Sequence, residues 1–236
     1  MMKRMTGVAL CALLGGCVVA VGSSDAGPMR GVETKRFEVA GFDAIELAGS
    51  DNLRVVRSDG MSVVASGDPR AIDALRVTVE GGTLRVTRKP GTWQDRGAMV
   101  TVTVPSLRAA TLSGSGDMEV EAATAPTFDA RLAGSGDLIL RGVRGDTMRV
   151  ELAGSGDLTA SGRARQVEIR AAGSGDVDAR ALEVRDLRVD VSGSGDVRAQ
   201  ASGTAGLSAD GSGDVTVTGP ARCTVRKGGS GDVRCG

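Results

Sequence analysis

From residue 111 onward apolar and polar side chains alternate one by one, in runs such as Phe128-Asp129-Ala130-Arg131-Leu132, Met148-Arg149-Val150-Glu151-Leu152, Val167-Glu168-Ile169-Arg170-Ala171 and Leu187-Arg188-Val189-Asp190-Val191. A period of two predicts strands with one buried face, because successive side chains of a strand point to opposite sides. Each run leads into the tetrapeptide Gly-Ser-Gly-Asp, at 114–117, 134–137, 154–157, 173–176, 193–196, 211–214 and 229–232. The alternation then resumes, with Leu138 and Leu140, Val177 and Ala179, Val197 and Ala199, or Val215 and Val217. Successive motif aspartates lie 18 to 20 residues apart. That is the period of a solenoid in which each unit makes one turn.

Carrying the inward phase through the motif passes through both glycines and turns Ser and Asp outward, consistent with a tight bend in the wall of the coil. Five residues before the motif the outward side chains are Asp129, Arg149, Glu168 and Arg188; three before it they are Arg131, Glu151, Arg170 and Asp190. The sign alternates in both series, in opposite senses. Such an arrangement fits units stacked in register about 4.8 Å apart, each charge meeting its opposite above and below. The expected fold is therefore all-β, a parallel β-helix of about 18–20-residue coils. A β-propeller needs a longer repeat, and a leucine-rich horseshoe its own consensus.

The chain divides into a leader at 1–22, a linker at 23–35, irregular coils at 36–110 and regular coils at 111–236. Within the irregular part, strands are expected at 42–47, 53–56, 61–65, 75–79, 84–86 and 100–104. Gly49-Ser50-Asp51 reads as a degenerate copy of the motif, Glu80-Gly81-Gly82-Thr83 as a hairpin, and Asp68-Pro69 as the cap of one short helical turn ending at Leu75. Residues 89–98, with Trp93 between Lys89 and Arg96, form the longest expected loop. That Trp reads as a cover for the end of the solenoid or as a contact point.

Composition removes several functions. The 236 residues include no His, no Tyr, one Trp, three Phe and 36 Gly, with 29 basic against 29 acidic side chains. Without His there is no Ser-His-Asp or Cys-His centre and no imidazole zinc site. Few aromatics and balanced charge give no basis for nucleic-acid binding. Lys3 and Arg4 precede an apolar run over 8–21 that is too short to span a bilayer and suits a secretory signal peptide. Leu14-Gly15-Gly16-Cys17 is similar to a lipobox whose cysteine is acylated; the alternative is ordinary cleavage after Gly22. Either route leaves Cys223 and Cys235 as a pair in an oxidising compartment. Both fall in the inward phase, so a disulfide stapling the terminal coil is expected. On the chain-entropy model a loop this short contributes about 3 kcal/mol.

The motif aspartates Asp117, Asp137, Asp157, Asp176, Asp196, Asp214 and Asp232 do not alternate in sign and would form one column. At about 4.8 Å each adjacent pair repels by about 1 kcal/mol in a water-like dielectric, so something must offset the repulsion. Three readings stand. The carboxylates accept backbone N–H bonds across the glycine bend as repeated Asx turns; a column of Ca²⁺ bridges them; or two of them serve glycoside chemistry or sugar binding. Ser115, Ser135, Ser155, Ser174, Ser194, Ser212 and Ser230 have no activating base and read as turn donors. No catalytic residue is assigned, and no cofactor other than Ca²⁺ enters.

With a signal peptide, irregular first coils, recurrent Gly-Ser-Gly-Asp followed by an apolar residue, and a final Cys223…Cys235 pair, residues 36–235 resemble the bacterial head GIN domain family of auto-transporter adhesins. The resemblance implies a right-handed β-helix of pectin-lyase-like shape, export to the periplasm, outer membrane or cell surface, and an adhesive role without catalytic residues. The sequence leaves no room for a translocator barrel after Gly236, so display is expected to use separate machinery or a lipid anchor. The expected function is non-catalytic adhesion or contact with a protein or surface glycan, with membrane association only through the anchor and end-to-end or side-by-side self-association open. A polysaccharide-processing β-helical enzyme and a Ca²⁺-stabilised scaffold are the alternatives.

Overall fold

The computed structural model describes residues 31–91 and 95–236. The leader with Cys17, and Trp93, lie outside the described residues. In chain order the elements are β1 (Glu33–Phe37), β2 (Ala44–Leu47), β3 (Asn52–Arg57), β4 (Ser62–Gly67), α1 (Pro69–Ala74), β5 (Leu75–Glu80), β6 (Thr83–Arg88), β7 (Ala98–Val104), β8 (Ala109–Leu112), β9 (Met118–Val120), β10 (Thr127–Leu132), β11 (Leu138–Leu152), β12 (Leu158–Ala171), β13 (Val177–Val191), β14 (Val197–Gln200), β15 (Thr204–Ala209), β16 (Val215–Thr218), β17 (Arg222–Lys227) and β18 (Val233–Cys235).

From β8 onward the chain winds as a parallel β-solenoid of about six turns. One wall is built from strands preceding the motif, in the order β2, β8, β10, β11, β12, β13, β15, β17; the other follows it, in the order β3, β9, β11, β12, β13, β14, β16, β18. Register copies the sequence repeat. Leu112, Leu132, Leu152, Ala171, Val191 and Ala209 form one inward column, and Met118, Leu138, Leu158, Val177, Val197 and Val215 another, all buried. Stacking like on like in this way buries each large aliphatic side chain for about 1.5–3 kcal/mol.

The motif glycines are required by close approach rather than by backbone conformation, since none of them lies in the left-handed region. A Cβ on Gly136 would lie 2.1 Å from the carbonyl oxygen of Gly116, and one on Gly156 2.0 Å from that of Gly136. The missing side chains therefore point along the solenoid axis into the neighbouring coil. The bend is tight because adjacent coils touch backbone to backbone there.

The irregular part does not add coils in sequence order. The coil made of β2 and β3 lies between the later pair β6 and β7 on one side and β8 and β9 on the other. Antiparallel strands close that end: β4 pairs with β7, β1 with β4, and β5 with β6. The β5–β6 connection is the expected two-residue hairpin, with Gly81 and Gly82 at φ 57° and 76°. The Asp68 carboxylate accepts the N–H of Arg70 and caps α1, which buries Ala71, Ile72 and Ala74. Strand β1 exposes most of a highly charged edge, a common guard against edge pairing.

One assignment needs correction. The degenerate motif is Gly49-Ser50-Asp51-Asn52: Asp51 occupies the place of the second glycine, and Asn52 that of the motif aspartate. A Cβ on Gly116 would strike the carbonyl of Asp51, and the N–H of Asp117 reaches the side chain of Asn52.

Candidate functional site

The seven motif aspartates stand in one column, and each backbone N–H donates to the side chain in the coil before it. The N–H of Asp117 donates to Asn52 Oδ1 at 3.0 Å. Asp137 then donates to Asp117 Oδ1, Asp157 to Asp137, Asp176 to Asp157, Asp196 to Asp176, Asp214 to Asp196 and Asp232 to Asp214, over 2.7 to 3.0 Å. The bonds run between coils, not within the bend as an Asx turn would. At this bend the Ser N–H already uses the glycine carbonyl of the previous coil, as Ser135 does with Gly114 at 3.1 Å, so the aspartate N–H takes a carboxylate. A hydrogen bond to a charged acceptor contributes about 1.5–3 kcal/mol, which exceeds the repulsion of about 1 kcal/mol between neighbouring carboxylates.

Cations reduce that repulsion at two places. Arg198 lies 3.2 Å from Asp176 and 2.8 Å from Asp196, while Arg234 and Lys227 lie 3.0 and 3.5 Å from Asp232. Lys227 occupies the final place of the inward column that elsewhere holds Leu, Ala or Val. Its ammonium faces Asp232 Oδ1, the atom type that accepts an amide in the coils before. Among the described residues no group of three or more carboxylate or thiol side chains converges to hold a metal ion. The motif serines are exposed alongside the column, and Ser230 Oγ lies 3.2 Å from Ser212 Oγ.

The two alternating charge series stack in the register predicted from sequence: Asp129, Arg149, Glu168 and Arg188 in one column, Arg131, Glu151, Arg170 and Asp190 in the other. Pairing runs both along and across the columns. Arg131 reaches Glu151 at 2.6 Å and Arg149 reaches Asp129 at 3.3 Å between coils, whereas Arg170 takes Glu168 at 2.6 Å and Arg188 takes Asp190 at 2.9 Å within a coil. The Asp190 partner holds the Arg188 guanidinium more firmly protonated. A shallow concavity of about 460 Å³ lies over this wall, and its carboxylates Asp129, Glu151 and Glu168 are all ion-paired. Exposed pairs of this kind contribute about 0–1 kcal/mol each, so their main effect is on register and surface chemistry.

A buried charge cluster escaped the sequence reading. Arg88, at the end of β6, donates through Nε and Nη2 to the two oxygens of Asp51 at 2.7 Å, and through Nη1 and Nη2 to Asp95 at 2.8 and 3.1 Å. The side chains of Asp51 and Asp95 are 1% and 4% exposed. Each also accepts a backbone N–H, from Ala98 and Gly97 respectively. The guanidinium holds the Asp95 carboxyl below its ordinary pKa against the opposing effect of burial. The cluster ties the loop before β7 to the degenerate motif. The only sequence signal was Asp51 standing where a glycine belongs.

Cys223 and Cys235 are joined by a disulfide across the last coil, with Cα atoms 6.5 Å apart. Both sit in inward columns, below Ala205 and Val217. Nothing stacks above this coil among the described residues, so Cys223 and Val225 are nevertheless exposed. No helix among the described residues is long and apolar enough to cross a membrane.

Comparison with known proteins agrees with this architecture. The crystal structure of a "putative adhesin" from Bacteroides fragilis superposes with a TM-score of 0.83 at 20% identity, over 88% of this chain and 98% of that one. A "putative lipid binding protein" from Parabacteroides distasonis gives 0.71 at 20% identity, over 87% and 96%. A "putative adhesin" from Parabacteroides merdae gives 0.67 at 14% identity, over 87% and 96%. At such identities the likeness shows the fold. No curated protein matches the chain in sequence. The model of the family described as "putative auto-transporter adhesin, head GIN domain" matches residues 41–221, and the chain therefore belongs to the head GIN domain family.

Proposed function

We propose that the chain is a non-catalytic, exported protein of the bacterial cell envelope whose solenoid presents a rigid surface for adhesion to a protein or a surface glycan. The observation that carries this reading is the long in-register wall of outward side chains, whose carboxylates are engaged by guanidinium groups over the length of several coils. General acid–base chemistry needs a carboxyl poised to give or take a proton; an ion-paired ladder supplies a shaped, stable surface. The family description as adhesins supports the same role. Export rests on Lys3, Arg4 and the apolar run at 8–21, with Cys17 as the acylation site if the lipobox is used.

The test is adhesion of beads coated with the purified chain to bacterial cells and to immobilised envelope glycans. Saturable adhesion that vanishes when the chain is unfolded supports the reading. New reducing ends released from a polysaccharide by the pure chain would overturn it in favour of an enzyme.

A further inference from the structure

The charge alternation of the two columns before the motif is not kept where the chain passes from one wall to the other. Where each coil passes from the strand after one motif toward the strand before the next, the outward residues are Arg144 and Asp146 in one coil, Arg163 and Arg165 in the following coil, and Glu183 and Arg185 in the third. Arg144 and Arg163 are direct register partners on adjacent parallel strands. The flanking pairs Ala164 with Val184 and Gln166 with Asp186 set Arg165 over Arg185. All four arginines are exposed.

Their surroundings differ from those of the wall arginines. Arg131, Arg149, Arg170 and Arg188 each reach a carboxylate. By contrast, the described residues provide no ion pair for Arg144, Arg163 or Arg165, and Arg185 reaches only Asp186, at 3.9 Å. Asp186 is itself bonded by the Thr204 hydroxyl at 2.8 Å. The other two acids lie on the outer coils, Glu183 in register with Arg163 and Asp146 with Arg165, so each column holds two arginines and one acid, and neither acid is ion-paired to them among the described residues. The backbone here is also specialised. The ladder shifts register between Leu140 and Val143, and Gly162, at φ 124°, lies where a Cβ would meet the Val143 carbonyl at 2.3 Å. Irregularities of this kind re-aim the side chains that follow them.

We propose that this arginine strip binds a linear acidic polysaccharide laid along the solenoid axis. The guanidinium fork matches carboxylates and sulfates, and it remains charged at every relevant pH. Cations on three successive coils meet a polymer that carries one anionic group per sugar at several points, so weak contacts add through multivalency. Among the described residues the exposed large apolar ones are Val32, Met61, Met99 and Val225, none of them in the strip. That favours a hydrated polymer over a membrane, where basic surfaces are assisted by apolar insertion. The strip also has no aromatic platform of the kind single-stranded nucleic acid uses. The proposal deepens the adhesion reading by naming a ligand class, and it can fail separately from it.

The experiment compares the full chain, the triple variant Arg144→Gln/Arg163→Gln/Arg165→Gln and a charge-matched control variant Arg57→Gln/Arg70→Gln/Arg76→Gln, whose arginines are exposed outside both the alternating charge columns and the strip, for binding to immobilised alginate, with neutral dextran as control. Circular dichroism melts confirm that all three are folded. The expected result is alginate binding that weakens with salt, falls about tenfold or more in the strip variant and changes about twofold or less in the control variant. Equal loss in both variants, no alginate binding by the full chain, or capture only by phosphatidylglycerol vesicles overturns the proposal. Cell adhesion that persists unchanged in the strip variant overturns it while leaving the adhesion reading intact. If the full chain binds neither alginate nor cells, both readings fail.

Discussion

The backbone N–H of Asp157 donates to Oδ1 of Asp137 in the preceding coil at 3.0 Å, and the carboxylate of Asp157 accepts the N–H of Asp176 at 2.8 Å. Each motif aspartate between the ends is thus acceptor for one coil and donor to another. This explains why identical charges recur where neighbouring columns alternate in sign: a bend amide in every coil needs an acceptor, and a short carboxylate at the same position supplies it.

Replacing Asp157 with Ala removes the acceptor for Asp176 and should destabilise the chain by about 1–2 kcal/mol, the cost of a partly buried amide left unpaired. Asp157→Asn keeps an acceptor oxygen and removes two like-charge contacts, so it should be nearly neutral, as the native Asn52 at the head of the column illustrates. Urea titration of both variants distinguishes the effects. Ca²⁺ should leave the melting temperature where a chelator leaves it, since the Oδ1 atoms are already engaged.

Gly156→Ala places a methyl group 2.0 Å from the Gly136 carbonyl oxygen. Because the obstacle is backbone and adjacent coils are locked in register, the cost should reach the upper end of overpacking, about 3 kcal/mol. The exposed neighbour change Ser155→Ala should stay within about 0.5 kcal/mol. Denaturant midpoints for the two proteins give the comparison directly.

Acid should weaken the fold through Asp95. Its folded-state pKa lies below the unfolded value, so its contribution to stability is present at neutral pH and is lost as the pH falls through the folded value. Arg88→Met leaves Asp51 and Asp95 buried without their cation, and at neutral pH should cost about 3–5 kcal/mol. Without the guanidinium only burial acts on the Asp95 carboxyl, which then gains a proton on folding, and the sign of the dependence reverses: the variant should recover stability as the pH is lowered toward 5. Thermal melts across pH 3 to 8 test both slopes.

Reducing the Cys223–Cys235 bridge should loosen the last coil without unfolding the solenoid. Its strands pair on one side only among the described residues, and repeat arrays exchange stability chiefly between nearest neighbours. Hydrogen exchange is expected to accelerate at residues 222–235 while protection persists at 148–191. Uniform loss of protection along the chain would show that the bridge stabilises the whole array.

The regular part of the fold was legible because a parallel solenoid writes its contacts at a fixed offset. A residue meets its equivalents 18 to 20 positions away, so the alternation gave the strands, the motif gave the bends, and the opposite signs of Arg149 and Glu168 gave the register. The Gly81-Gly82 hairpin and the Asp68 cap were equally readable, each being a local device completed within a few residues. Cys223 and Cys235 could be paired because both share the inward phase of the terminal coil.

Tertiary structure alone decided what has no fixed offset. The placement of β2 and β3 between two later coils follows from which edges the antiparallel strands β4 and β5 leave available, and alternation cannot express that order. Arg88 meets Asp51 and Asp95 across separations of 37 and 7 residues, and burial rather than sequence spacing makes the contact strong. The aspartate column was visible in the sequence, but its bonding between coils depends on how closely the glycine bends stack. The arginine strip does obey the coil offset, Arg144 and Arg163 lying 19 residues apart, but it carries no motif, and only the tertiary structure shows that neither guanidinium reaches a carboxylate among the described residues.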